Sequence, residues 1–438
     1  MKKEVHPGGK VTVCWFRRDL RLEDNTALNR ALESGNPVLP VFIFDTEILD
    51  ELPTDDARVT FIYRELEKIN RELGSGGSSI RIFRGEPLQI WRELLDRYQV
   101  DSVFVNRDYE PYARERDREV GELLAGRGIP FTSCKDQVIF EENEILKNDG
   151  TPYTVFTPYK KRWLEAFSAE SLVPAKGFTG GGFCRELYPF PPLEKLGFKV
   201  SKLRVRPYDL SGLGEYARLR DLPGPDATSH LSPHLRFGTV SIRKIIAGLG
   251  KGREVFLSEL IWREFFMQIL FHFPGVVHQN FNPKYNGVAW RNDQEEFKKW
   301  REGSTGYPLV DAGMRQLLAT GTMHNRVRMV TASFLCKHLL IDWRLGEAYF
   351  AEKLLDYELS SNNGNWQWAA GTGCDAAPYF RIFNPAAQLK RFDPDLEYVK
   401  RWVPEHGTPD YADPMVDHSF ARARALEAYK KGIRDYLP

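Results

Sequence analysis

The chain has 438 residues, 42% hydrophobic and 28% charged, a length that suits two domains with a core needing neither disulfides nor metals. Lys and Arg number 61 against 60 Asp and Glu, so the net charge of +1 excludes whole-molecule attraction to nucleic acid and leaves only a local basic patch. Five scattered cysteines (Cys14, Cys134, Cys184, Cys336, Cys374) form no CxxC pair or metal-ligand spacing, which points to a reduced, cytoplasmic setting.

The first ten residues, MKKEVHPGGK, carry no apolar signal-peptide core, and no apolar run approaches the ~18 residues of a membrane helix. Short apolar runs then alternate with helical patterns. Strands are expected at Val11–Phe16, Val38–Phe44, Ile80–Phe83, Ser102–Val105 and Pro130–Ser133. Helices are expected between them at Thr26–Leu32, Arg58–Leu73, Leu88–Tyr98 and Arg114–Arg127. This alternation predicts a doubly wound parallel sheet over 1–133, with ligands at the carboxyl ends of its strands. No GxGxxG follows the first strand, so a dinucleotide fingerprint is absent there.

Residues 134–206 read as a long connector, punctuated by Gly-rich Lys176–Phe183 and Pro-rich Pro189–Pro192, with one helix at Phe156–Ser168. From 207 to 438 the pattern is helical. Apolar residues recur at three and four in Ile242–Leu249, Glu254–Phe271, Gly313–Thr320, Val327–Leu340 and Glu347–Glu358. The expected fold class is α/β + α: a Rossmann-like parallel-sheet domain joined to an all-helical domain.

Three segments carry more chemistry than this outline. Cys14–Asn25, CWFRRDLRLEDN, follows the first strand; by itself it reads as a solvated charged loop with Asn25 or Asp24 capping the next helix. Asp226–Gly238, DATSHLSPHLRFG, clusters Thr228, Ser229 and Ser232 at a helix start, where backbone N–H groups and hydroxyls suit a phosphate or an ordinary cap. The third segment is long: YPLVDAGMRQ at 307–316, MHNRVRM at 323–329, DWR at 342–344, SSNNGNWQW at 360–368 and DAAPYFRIFNP at 375–385. It sets Arg326 and Arg328 in an apolar helix, where buried charges need partners.

These segments resemble the DNA photolyase/cryptochrome family over nearly the whole chain, most closely its cyclobutane pyrimidine dimer (CPD) photolyases. The resemblance implies FAD in the helical domain and an antenna pigment by the α/β domain. The antenna is methenyltetrahydrofolate, 8-hydroxy-deazaflavin or a second flavin, with 106–117 placed to line its pocket. It implies light-dependent repair, in which reduced flavin lends an electron to a flipped-out dimer in DNA and takes it back. It also implies a monomer with no obligate protein partner.

Carried over residue by residue, Tyr216, Thr228, Ser229, Leu231 and Ser232 match positions gripping the FAD phosphates and adenosine. Arg328 and Asp356 match a charged pair beside the flavin ring, with Glu358 near its edge. Asn362 matches the residue facing flavin N5. Trp366, Trp343 and Trp290 match an electron-carrying chain. Glu259, Trp262, Asn325, Arg326, Met329 and Trp368 match the dimer pocket, Trp262 and Trp368 forming an apolar wall. Lys160, Lys161, Arg220, Arg263, Arg326 and Arg381 are candidates for phosphate contacts.

Asn362 stands where plant-type cryptochromes carry Asp. Asn325 and Met329 stand where (6-4) photolyases carry histidines, and Trp368 where DASH-type cryptochromes tend to carry Tyr. His230, Thr322 and Glu358 depart from an expected Arg, Trp and Asp. A cryptochrome photoreceptor and a (6-4) photolyase are the alternatives.

Overall fold

The computed structural model describes residues 9–172 and 181–436. The Gly-rich stretch expected at Lys176–Phe183 therefore lies, up to residue 180, outside the described residues. The chain forms two compact units: Met1–Glu144 with Glu165–Pro207 and Leu231–Gly250, and Ile145–Leu164 with Tyr208–His230 and Lys251–Pro438.

The first unit is built on one parallel sheet in the order β3-β2-β1-β4-β5. Its strands are β1 (Val11–Phe16), β2 (Val38–Asp45), β3 (Arg81–Gly85), β4 (Val100–Asn106) and β5 (Phe131–Cys134). Side chains alternate across a strand, so one sequence feeds two cores. Val11, Val13 and Trp15 pack with Leu39, Val41 and Ile43 on one face, while Cys14 and Phe16 pack with Val38, Phe42 and Phe44 on the other. Both β1 and β2 are buried throughout, as strands covered on both faces must be. Its longer helices are Thr26–Glu33, Ala57–Ser75, Pro87–Arg97 and Pro111–Ala125. The last begins three residues earlier than expected, because Pro111 takes the first-turn position where its missing N–H costs nothing.

Two expectations are corrected in this unit. The charged loop after β1 is not a solvated face: Asp19, Asp24 and Asn25 are at most 1% exposed and Arg21 is 9% exposed. Asn25 does cap the Thr26–Glu33 helix, accepting from the Leu28 N–H, while Asp24 turns inward at φ 48°. Asp24 and Asp136 are paired with Arg243, and Arg21 Nη2 reaches Asp136 Oδ2 at 2.6 Å. Burial pushes the Asp136 carboxyl up, but Arg21 and Arg243 outweigh it and hold it below its usual value. The second correction follows from the same contacts. Residues 231–250, assigned from sequence to the helical domain, belong to the α/β unit; Phe237 lies in its core and Arg243 supplies the buried pairs. The expected connector is divided likewise, since 145–164 goes with the second unit.

The second unit is helical, with Glu254–His272, Gln294–Glu302, Pro308–Thr320, Asn325–Ser333, Trp343–Lys353, Leu359–Ala370, Pro385–Phe392 and His418–Tyr436 as its main elements. The helix expected at Val327–Leu340 gives way to a π turn at Phe334–His338. The one expected at Glu347–Glu358 stops at Lys353. Leu355 N–H leaves the helical ladder to bond Gly321 O, and Glu358 is spent as the cap of the next helix, accepting from the Ser360 and Ser361 N–H groups. No helix among the described residues is long and apolar enough to cross a membrane.

The π turn buries a lysine. Lys337 is 1% exposed, donates to Ala370 O at 2.6 Å and lies 3.8 Å from the centroid of the Tyr429 ring. Burial pulls its ammonium down from 10.5 to about 7. Between those values the unfolded chain holds a proton that the folded chain lacks, so stability rises with pH from about 7 to 10. Lys337→Met removes this titration at nearly constant volume. The stability of the variant relative to the parent should therefore fall as pH is raised across that window. Urea unfolding at pH 7, 8.5 and 10 checks this; parallel curves would contradict it.

Candidate functional site

A cavity opens within the helical unit, between the helices Asn325–Ser333, Trp343–Lys353 and Leu359–Ala370. Asn325, Arg328, Met329, Asp356, Glu358, Asn362, Trp366 and Trp368 line it, joined by apolar Ala332, Phe350, Leu354 and Ala369. Residues spread over 45 positions of sequence thus converge on one space.

The guanidinium and one amide of the lining are held. Arg328 donates from Nη2 to both Asp356 oxygens, at 3.2 and 2.9 Å, and from Nε to Met323 O at 2.8 Å. Asn362 gives its amide N–H groups to Glu347, to the backbone oxygen at 3.1 Å and to Oε1 at 2.8 Å. Among the described residues that leaves the amide oxygen as its free acceptor. Burial raises the Glu347 carboxyl above its usual range, against the pull of Asn362. Glu347 was not singled out from sequence; it lies fifteen positions away on another helix, and only the fold makes them partners.

Trp366 is 2% exposed, edge-on to Phe350 at 4.9 Å. A Cβ at Gly346 would sit 2.2 Å from its ring, so only glycine there lets the Trp343–Lys353 helix pass this indole. Trp343 is fully buried, with Nε1 donating to Asn280 Oδ1 at 2.8 Å. Trp290 packs against the same core, edge-on to Tyr429 at 5.9 Å.

The other sequence-derived residues stand outside the lining just described. Glu259 and Trp262 lie on the Glu254–His272 helix. Glu259 accepts from Arg220 Nη1 at 2.6 Å, and Arg220 stacks over Tyr216 at 5.5 Å. One face of Trp262 is covered by Phe156, parallel at 3.6 Å, a neighbour that sequence reading missed. Arg326 pairs with Asp221 at 2.8 Å. Lys161 and Arg381 are exposed, while Lys160 and Arg263 are half-buried. Thr228 and Ser229 belong to the helical unit, and Leu231 and Ser232 to the α/β unit. Of the departures, His230 sits at φ 50° and meets Asp226 at 3.0 Å, and Thr322 bonds Thr320.

In the α/β unit the topological switch lies between β1 and β4, where ligand crevices form. Asn106 Nδ2 donates to Asp19 Oδ2 at 2.6 Å there, and Arg18 pairs with Asp108 and Glu110. Among the described residues no group of His, Cys, Asp and Glu could hold a metal ion.

Comparison with known proteins places the chain in a family. Residues 12–176 match the DNA photolyase family model, and 256–409 the model for the FAD binding domain of DNA photolyase. A deoxyribodipyrimidine photo-lyase of Agrobacterium fabrum is 37% identical, the match covering 95% of this chain and 97% of the relative. The crystal structure of a class III photolyase from Agrobacterium tumefaciens superposes with a TM-score of 0.87 at 36% identity, covering 97% of this chain and 98% of that one. An archaeal photolyase from Sulfolobus tokodaii, solved with two FAD molecules, gives 0.84 at 34%, covering 96% and 99%. The chain belongs to the DNA photolyase family and has its FAD-binding domain.

The cavity suits a flavin ring. Its walls are aromatic and aliphatic, its amide oxygen matches an N–H donor, and its guanidinium favours negative charge on a bound ring.

Proposed function

We propose that the cavity of the Asn325–Ser333 and Leu359–Ala370 helices is where flavin and damaged DNA meet, and that the protein splits cyclobutane pyrimidine dimers in light. The observation that carries this is the convergence of Asn362, the Arg328–Asp356 pair and Trp368 on one space. Bound FAD supplies light-driven one-electron chemistry.

The chain's own residues bind, orient and exclude water. Arg328, fixed by Asp356, would place positive charge beside a bound ring. Asn362, its amide N–H groups held by Glu347, would offer a carbonyl acceptor to the ring's N5, as family resemblance assigns it. Glu358 caps the helix start and would lie near the ring's edge. Tyr216, Thr228, Ser229, Leu231 and Ser232 take the phosphates and adenosine, as family resemblance assigns them. Trp366, Trp343 and Trp290, which pack in or against one core, are the residues that would pass electrons to a bound flavin, as family resemblance assigns them.

A dimer inside a duplex cannot reach such a cavity, so the damaged nucleotides are flipped out, at reduced cost because their pairing is weakened. Trp368 and Trp262 offer apolar surface to the fused pyrimidines. Glu259, Asn325 and Met329 contact the base edges. Arg326 joins them at the lesion, while Lys160, Lys161, Arg220, Arg263 and Arg381 serve the backbone.

The α/β unit carries the light-harvesting pigment on residues 106–117. Methenyltetrahydrofolate, 8-hydroxy-deazaflavin and a second flavin, as in the Sulfolobus relative, are distinguished by the absorbance of the purified protein. Five buried free cysteines support action in the reduced cytoplasm, and we assign a monomer without an obligate protein partner.

The choice of lesion is tested on two duplexes, one with a single cyclobutane dimer and one with a single (6-4) photoproduct, under blue light. Repair of the first alone is expected. Repair of the second alone would overturn the assignment.

A further inference from the structure

Three arginines of the helical unit each meet a carboxylate: Arg220 with Glu259 at 2.6 Å, Arg326 with Asp221 at 2.8 Å, and Arg328 with Asp356 at 2.9 Å. Counted together, these six side chains carry no net charge. The Asp221 pair differs from the Asp356 pair in exposure, at 41% against 9% for the acid. An ion pair so exposed contributes little to stability, so its presence needs another reason.

Arg326 is held on two sides. Its Nε and Nη2 both donate to Asp221 Oδ1, at 3.3 and 2.8 Å, and its guanidinium lies 4.4 Å from the centroid of Phe392. The side chain is 17% exposed, and its Nη1 makes no hydrogen bond among the described residues. Arg326 follows Asn325 and precedes Arg328, both of which line the cavity. A guanidinium is a rigid planar fork. With one edge committed and one face covered, what remains is a fixed donor on the helix that also carries Asn325 and Arg328. Its charge is offset, so it does not act as a mobile phosphate-neutralising cation.

We propose that Asp221 is a positioning residue: it holds Arg326 as a neutralised, directional donor for the flipped-out lesion, and keeps it from gripping undamaged backbone. The idea rests on the placement of the lesion at this cavity. It requires the Asp221–Arg326 pair to survive in the lesion complex. If Arg326 instead swapped Asp221 for a phosphate, removing Asp221 would strengthen binding to every DNA.

The test uses the FAD-loaded protein with Asp221→Asn, Asp221→Glu and Arg326→Gln, each checked for retained flavin absorbance. Asp221→Asn should bind undamaged duplex about threefold or more tighter, with a salt dependence steeper by about one phosphate contact. It should bind dimer-containing duplex about threefold or more weaker, raising KM while leaving the repair yield per absorbed photon unchanged. Asp221→Glu should restore both. Parallel tightening on the two DNAs, or no change on either, would overturn the role of Asp221. Arg326→Gln should weaken dimer binding; no effect there would overturn the placement of the lesion, whatever Asp221→Asn does.

Discussion

Replacing Trp366 by Phe should slow photoreduction of the bound flavin by at least about tenfold, equivalent to ~1.4 kcal/mol in the barrier, while repair by chemically pre-reduced protein continues. The argument separates two tasks of one side chain. Trp366 lines the cavity and is buried against Phe350 and the glycine at 346. Phenylalanine preserves the edge-on aromatic contact and most of the volume, so the fold should lose only about 1–3 kcal/mol. It cannot match the ease with which an indole gives up an electron. Flavin absorbance during illumination with an external reductant measures the first effect, and dimer repair after dithionite reduction measures the second. Loss of both together would mean that Trp366 matters for the cavity's shape rather than for electron delivery.

The second large effect is expected from Arg328→Met. The change takes the Arg328 guanidinium away from the Asp356 carboxylate, which is 9% exposed. Breaking a fully buried pair costs about 3–5 kcal/mol. Arg328 is itself 28% exposed, so water screens part of this, and about 1–3 kcal/mol is the expected loss. FAD retention through gel filtration should fall at least about tenfold. Adding Asp356→Asn removes that carboxylate's charge. The double variant should regain thermal stability but still bind reduced flavin weakly, because the positive charge beside the ring is gone. Full recovery of reduced-flavin binding would show that Arg328 acts only by neutralising Asp356.

The parts of this architecture visible in sequence are those governed by local periodicity. The five strands were legible because burial on both faces writes short apolar runs, and β1 is such a run at Val11–Phe16. The helix expected at Glu347–Glu358 was misread because its apolar spacing continues past Lys353. The break comes from the Leu355–Gly321 hydrogen bond and the Glu358 cap, both tertiary or context-dependent choices. The charged loop Cys14–Asn25 was misread for a similar reason. Nothing local says that Arg243, more than two hundred residues on, closes over Asp24.

The candidate site divides in the same way. Arg328, Asp356, Asn362, Trp366 and Trp368 were found through family resemblance, and the structure gathers all five around one cavity. Glu347, Asp221 and Phe156 were missed because each acts through a distant partner: Asn362, Arg326 and Trp262. Such supporting contacts leave no motif, since only the fold brings the two residues together.

The most direct test of the account is repair of an oligothymidine carrying cyclobutane dimers, using purified, photoreduced protein with matched light and dark samples. Recovery of thymine absorbance in the light alone is the predicted result. A protein that holds FAD and photoreduces, yet restores no absorbance in the light, would contradict dimer repair.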